Sequence, residues 1–135
     1  MKLTLYRKAH FNAAHRLHRK DWDGQKNSAV FGKCSNPYYH GHNYELIVGI
    51  TGEIDPETGY VIDLGFLKEV IKNEVEEPFD HKNLNEEVEE FKNLNPTVEH
   101  IAIVIYDKIK KALDSRYEIE ITLYETPRNY VVYKG

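Results

Sequence analysis

HGHNYELIVGIT, residues 40 to 51, places Tyr44, Leu46, Val48 and Ile50 on one parity, with His40 and His42 continuing the same face. A period of two sustained over this length predicts a β-strand with one buried side. Upstream, residues 3 to 15 alternate in the same way. Leu3, Leu5, Ala9, Phe11 and Ala13 share one parity with His15, while Thr4, Lys8 and Asn12 take the other. Between the two strands, residues 18 to 39 hold Asp21, Asp23-Gly24, Asn27-Ser28, Gly32 and Asn36-Pro37 and keep no period, which predicts a long ordered loop. A loop of that length inside a compact domain is usually functional.

Downstream, Gly52 to Tyr60 is turn chemistry, and from Asp63 to Glu77 the residues Leu67, Val70, Ile71 and Val75 follow helical spacing up to Pro78. A second helix is expected after Asn95-Pro96-Thr97, with Pro96 suited to its first turn and a stripe of Ile101, Val104, Ile105, Ile109 and Ala112. Ile119, Ile121 and Leu123 mark a third strand, Thr126 to Asn129 a turn, and Tyr130 to Tyr133 a fourth. The order ββααββ predicts an α+β domain, a four-stranded antiparallel sheet with two helices on one face. Its other face is then solvated or used in assembly.

The chain's 135 residues correspond to one domain, 1–135, and 41% hydrophobic with 30% charged residues is the composition of an ordinary folded protein. A net charge of -4 with dispersed basic residues, apart from Arg16, Arg19 and Lys20, disfavours nucleic acid as the principal partner. Cys34 is the lone cysteine and has no internal disulfide partner, and MKLTLYRKAHFNAAH lacks the apolar core of a signal peptide. No stretch approaches the roughly 18 apolar residues of a membrane helix. A soluble, cytoplasmic protein is expected.

His40-Gly41-His42 is the strongest chemical signal, because histidines two apart on a strand share a face at a spacing of roughly 7 Å. Pairing of the first two strands would bring His15 beside them. Three neutral imidazoles with an open fourth position describe a catalytic zinc site, although most His-x-His pairs are surface residues without a ligand. Cys34 sits in a Gly- and Asn/Pro-rich loop, where it suits a thiolate base or nucleophile, a metal ligand or a plain small residue. Asp80-His81 has the composition of an acid/base relay, or of a solvated loop pair. Glu125 continues the parity of Ile119, Ile121 and Leu123, so a carboxylate ends an apolar strand face. It suits a guanidine-like ligand edge, Arg128 or water.

The stretches FNAAHRL (11 to 17), FGKCSNPYYHGHNYEL (31 to 46), DPETGYVIDL (55 to 64), FDHKNLN (79 to 85), NPTVEHIA (95 to 102) and LYETPRNYVVYKG (123 to 135) together resemble the family of 6-pyruvoyl-tetrahydropterin synthase and the related 6-carboxytetrahydropterin synthase of queuosine biosynthesis. The resemblance implies the tunnelling fold, with sheets joined edge to edge into a trimeric barrel, two trimers stacked as a homohexamer and active sites between subunits. It also implies Zn2+ on His15, His40 and His42, catalysis by Cys34, Asp80 and His81, and substrate binding by Glu125, Thr97 and Glu99.

The implied reaction is that of a lyase acting on 7,8-dihydroneopterin triphosphate, giving 6-pyruvoyl-tetrahydropterin for tetrahydrobiopterin biosynthesis. The basic cluster of Arg16, Arg19 and Lys20 is then a place for the triphosphate. The five residues between Cys34 and His40 resemble the pyruvoyl-forming branch, whereas Pro96-Thr97-Val98-Glu99 resembles the carboxy-forming branch, which releases acetaldehyde from the same substrate. A non-catalytic pterin- or zinc-binding domain is the reading from another class.

Overall fold

The computed structural model describes all residues, 1–135. Strand β1 (Lys2–His15) pairs along its whole length with the antiparallel β2 (His40–Glu53), from Lys2 opposite Glu53 to His15 opposite His40. Helix α1 (Gly24–Phe31) lies between them, followed by a 3-10 turn over Gly32–Ser35. Next come α2 (Leu64–Ile71), a π-type turn (Lys72–Glu76), α3 (Glu77–Phe79), the two-residue β3 (Lys82–Asn83) and α4 (Leu84–Glu87). A 3-10 turn (Glu89–Phe91), α5 (Val98–Ala112), β4 (Glu118–Tyr124) and β5 (Tyr130–Tyr133) complete the chain. The sheet order is β3-β1-β2-β4-β5, antiparallel except for β3, which runs parallel to β1 at Ala13 and Ala14.

One face of the sheet builds the core. Phe11 and Ala13, then Tyr44, Leu46, Val48 and Ile50, then Ile119, Ile121 and Leu123 are buried beneath α2 and α5. The helices contribute Leu67, Val70 and Ile71 from one side and Ile101, Val104, Ile105 and Ile109 from the other. Each fully buried aliphatic or aromatic side chain is worth about 1.5–3 kcal/mol of transfer free energy, so this layer dominates the fold. The opposite face is polar, with Thr4 bonded to Thr51 at 2.6 Å and Asn12 to Asn43 at 2.6 Å. No helix is long and apolar enough to cross a membrane.

The α+β subunit agrees with the sequence pattern, and five details differ from it. The sheet has a fifth strand, β3, too short to leave a periodic signal. The loop at 18 to 39 contains α1, whose one buried residue is the polar Asn27, so no apolar period marks it. The Asn27 amide instead donates to the carbonyls of Arg19, Trp22 and Asp23 and its oxygen accepts from the Arg19 N–H.

Pro78 does not end the helix but sits in the first turn of α3, after the π-type turn. Four-residue steps overshoot an α-helical turn by about 40° each, and a wider turn reduces that drift, so Ile71, Val75 and Phe79 all stay buried. Pro96 likewise precedes the N-cap of α5, which is Thr97, so it lies outside the first helical turn. Finally, Leu3 is exposed at the start of β1, because the helices cover the sheet fully only from Phe11 onward.

Candidate active site

The first three site residues are placed by strand register. His15 ends β1 directly opposite His40, the first residue of β2, while His42 lies opposite Ala13. All three point to the helix-covered face, with ring centroids 4.6 Å apart for His15 and His40, 5.1 Å for His15 and His42, and 5.0 Å for His40 and His42. One ring nitrogen from each lies within 4.8 Å of the others. Cys34 is not a member of this cluster.

The rings are held in a ligand-ready state. The Nδ1–H of His15 donates to the Pro96 carbonyl at 2.8 Å, which leaves Nε2 unprotonated toward the other two imidazoles. His15 is 1% exposed, and its Nε2, like Nδ1 of His40, is buried without a hydrogen-bond partner. Burial lowers the His15 pKa to about 4, against the raising effect of the Pro96 carbonyl, and the His40 and His42 rings lower it further. His40 is also shifted down, by burial first and His42 second. Buried, unpartnered nitrogens on His15 and His40, with a ring nitrogen of His42 close by, make a set that could hold a divalent metal ion.

Beneath the cluster, the fully buried Tyr44 ring meets His15 and His42 edge-on and stacks on Phe11 at 4.8 Å between centroids. Burial, then the charges of Glu125 and Cys34, push its pKa far upward, so it remains a neutral phenol. Its hydroxyl is 3.4 Å from His15 Nδ1.

Glu125 lies one residue beyond β4, where its N–H bonds to the Asn129 carbonyl at 3.0 Å to begin the turn. Its carboxylate is 3.9 Å from Nε2 of both His15 and His42. Of the partners open to it from sequence, Arg128 makes no ion pair with it, and the side chain is 23% exposed rather than free in water. A cavity of about 520 Å³ opens beside it, lined among others by Lys8, His42, Asn43, Glu45 and Tyr124. A carboxylate at the wall of such a cavity is suited to a planar N–H edge on a ligand.

Cys34 lies in the 3-10 turn after α1, half-buried and reduced. Its carbonyl accepts the Leu17 N–H at 2.7 Å, tying this turn to the chain just past His15. Asp80 and His81 dock elsewhere, on the outer edge of β1: Asp80 accepts the Asn12 N–H at 2.8 Å and the His81 N–H reaches the Asn12 carbonyl at 2.6 Å. The two side chains pair directly, His81 Nδ1 to Asp80 Oδ2 at 2.9 Å. Adjacent residues achieve this because His81 adopts a left-handed backbone, φ +59°. The Asn12 N–H, and after it His81, hold the Asp80 carboxyl below its ordinary range. Within one chain the His81 imidazole makes no hydrogen bond to Cys34.

Thr97 serves as the N-cap of α5, its hydroxyl accepting the His100 N–H at 3.2 Å, and Glu99 is exposed in the first helical turn. Neither lines the cavity beside Glu125. Arg16, Arg19 and Lys20 do converge, around a second cavity of about 410 Å³ that also holds His18, Tyr39 and Lys92. Arg16 donates to the Ser35 carbonyl at 2.8 Å and Arg19 pairs with Asp21 at 2.7 Å. Two contributors escaped the sequence reading. Tyr39, at φ +69°, bonds through its hydroxyl to Glu86 across this cavity, and the Pro96 carbonyl orients His15. The Asn95-Pro96-Thr97 signal was present but reads as a helix cap alone.

These features coincide with comparisons to known proteins. The family model described as 6-pyruvoyl tetrahydropterin synthase matches residues 4–135. The 6-pyruvoyl tetrahydrobiopterin synthase of Pongo abelii is 44% identical over 129 residues, spanning 96% of this chain and 89% of the relative. The Homo sapiens protein of the same name is 43% identical over the same shares of each chain. A solved structure of Caenorhabditis elegans 6-pyruvoyl tetrahydropterin synthase superposes with a TM-score of 0.94 at 39% identity, covering 100% of this chain and 96% of that one. The chain belongs to the 6-pyruvoyl tetrahydropterin synthase family and is a lyase of that type.

Proposed function

We propose that the protein converts 7,8-dihydroneopterin triphosphate to 6-pyruvoyl-tetrahydropterin with release of triphosphate. The observation that supports this most is the cluster of His15, His40 and His42 with the Glu125 carboxylate 3.9 Å from the first and the last, His42 and Glu125 also lining one cavity. His15, His40 and His42 would hold Zn2+, which when bound supplies electrostatic stabilisation of negative charge developing on the substrate's side chain.

Glu125 accepts the N–H donors of the pterin edge and fixes the ring's orientation. Cys34, as thiolate, takes a carbon-bound proton from the side chain, and the hydrogens lost there are returned to the pterin ring, so the redox change is internal and needs no nicotinamide or flavin. Asp80 orients and stabilises the His81 imidazolium, and this pair serves as proton relay for Cys34. Triphosphate then leaves by elimination. Arg16, Arg19 and Lys20 face the cavity suited to its charge. Thr97 and Glu99 complete the pterin pocket in the assembled enzyme.

The sheet edges support assembly with further copies of the chain. β3 covers β1 only at Ala13 and Ala14, and β5 ends the sheet on the other side. Exposed edges of this kind are ready templates for pairing. Closure with neighbouring copies into a trimeric barrel, two of which form a homohexamer, satisfies them and lets His81 of one chain serve Cys34 of another. The reaction is assigned to the cytoplasm, where a lone Cys34 stays reduced.

The deciding experiment is mass-spectrometric product analysis after incubating zinc-loaded protein with 7,8-dihydroneopterin triphosphate. A 6-pyruvoyl product with triphosphate supports the proposal. A 6-carboxy product with acetaldehyde moves the chain to the queuosine branch, and unchanged substrate in the presence of verified metal and oligomer leaves a pterin- or zinc-binding role.

A further inference from the structure

The tautomer of His15 depends on one carbonyl, that of Pro96, which receives its Nδ1–H at 2.8 Å. The Pro96 carbonyl shares its peptide plane with the Thr97 N–H, which is bonded to the Asn95 carbonyl, so the direction of the Pro96 carbonyl is set by its neighbours. Those neighbours are tied at two points. On one side Asn95 Oδ1 accepts the His18 N–H at 3.1 Å, from the segment that continues β1. On the other, the Asn95 carbonyl receives the Thr97 N–H at 2.8 Å and the His100 Nδ1–H at 2.6 Å, the latter reaching back from the first turn of α5.

His100 is anchored in its turn, because its own N–H is the one capped by Thr97 Oγ1. The chain of contacts therefore runs His100, Asn95, Pro96, His15. Helix α5 is packed on the sheet through Ile101 and Ile105, so the contact at His100 transmits the position of a rigid helix to the most buried metal-binding candidate. None of the reaction's groups includes His100, and its ring donates to a backbone carbonyl that a plain helix cap would leave to Thr97 alone.

We infer that His100 is a positioning residue for the metal centre: through the Asn95 and Pro96 carbonyls it holds the His15 ring in the tautomer and orientation that present Nε2 to a divalent ion. The inference rests on the reading of His15, His40 and His42 as a metal site. Groups that orient a ligand from behind change metal affinity by about 10- to 100-fold when removed. The Asn side chain carries an N–H donor at the same distance from the backbone as His Nδ1, whereas Leu has similar reach and no donor.

The test measures Zn2+ affinity by chelator competition in full-length wild type, His100→Asn and His100→Leu. It is accompanied by the visible absorption spectrum of each protein with Co2+ and by the thermal midpoint of each metal-free form. Expected is a loss of about tenfold in affinity and an altered Co2+ spectrum for His100→Leu, with His100→Asn within about twofold of wild type and spectrally the same. Wild-type affinity in His100→Leu overturns the inference, as does equal loss in both variants in step with a lowered metal-free midpoint, which marks a general packing role. Should the leucine variant not fold, His100→Ala takes its place. A wild type that takes up neither ion overturns the metal-site reading itself, a result distinct from failure of the His100 step alone.

Discussion

The Glu125 carboxylate stands 3.9 Å from Nε2 of His15, although the strands that carry them to this point, β4 and β1, are separated in the sheet by β2. The antiparallel register brings the C-terminal ends of β1 and β4 to the same end of the sheet, with the N-terminal end of β2 between them. A carboxylate and a metal-binding candidate thus meet across three strands. Glu125→Ala is expected to weaken binding of 7,8-dihydroneopterin by about 10- to 100-fold, the loss of a charge-assisted pair of hydrogen bonds. Isothermal titration calorimetry reads the affinity, and metal content by atomic absorption is expected to stay at the wild-type level.

Cys34→Ala separates chemistry from architecture. Removal of a proton-transferring group is expected to lower turnover by about 10²- to 10⁴-fold. The Cys34 carbonyl, not its thiol, makes the bond to Leu17, so the turn and the histidine cluster are expected to persist. Stopped-flow rates, together with unchanged metal content and thermal midpoint, check this. Full activity would remove the thiol from the mechanism.

Acid should weaken the metal-free protein through His15. Its pKa is about 4 when folded against about 6.5 when exposed, so below pH 6.5 the unfolded chain takes up a proton that the folded chain refuses. Stability is fully present above pH 6.5 and falls as pH drops toward 4, by up to about 3 kcal/mol from this group. Urea unfolding of chelator-treated protein between pH 7.5 and 4, compared with His15→Gln, measures the slope. The variant is expected to lose this part of the pH dependence.

Phe11 supports the site from below, stacking on Tyr44 and meeting Phe79 edge-on at 5.6 Å. Phe11→Ala is expected to destabilise the fold by about 3–5 kcal/mol, the combined cost of lost burial and an unfilled space. Denaturant unfolding with an unchanged m-value gives the figure. A lower metal affinity in the folded variant is expected as well, since the Tyr44 ring beneath His15 and His42 loses its backing.

Much of this arrangement is legible in the sequence because strand parity is a local property. Tyr44, Leu46, Val48 and Ile50 mark one face of β2, and the same alternation carries His40 and His42 onto it and His15 onto the matching face of β1. Elements held by polar contacts are not legible in this way. Helix α1 turns on Asn27, and the Asp80-His81 contact depends on a left-handed backbone at His81 that no side-chain pattern announces.

Sequence alone determined which residues share a face, because side-chain direction follows from the two-residue and 3.6-residue periods of the backbone. It thereby determined the α+β order, the histidine set and the carboxylate at the end of β4. Only the tertiary structure decided the register that sets His15 opposite His40, the meeting of Glu125 with His15 and His42, and the role of the Pro96 carbonyl. Those depend on contacts between residues 25 to 110 positions apart, whose geometry is fixed by how the helices and strands pack against one another and not by any local preference of the chain.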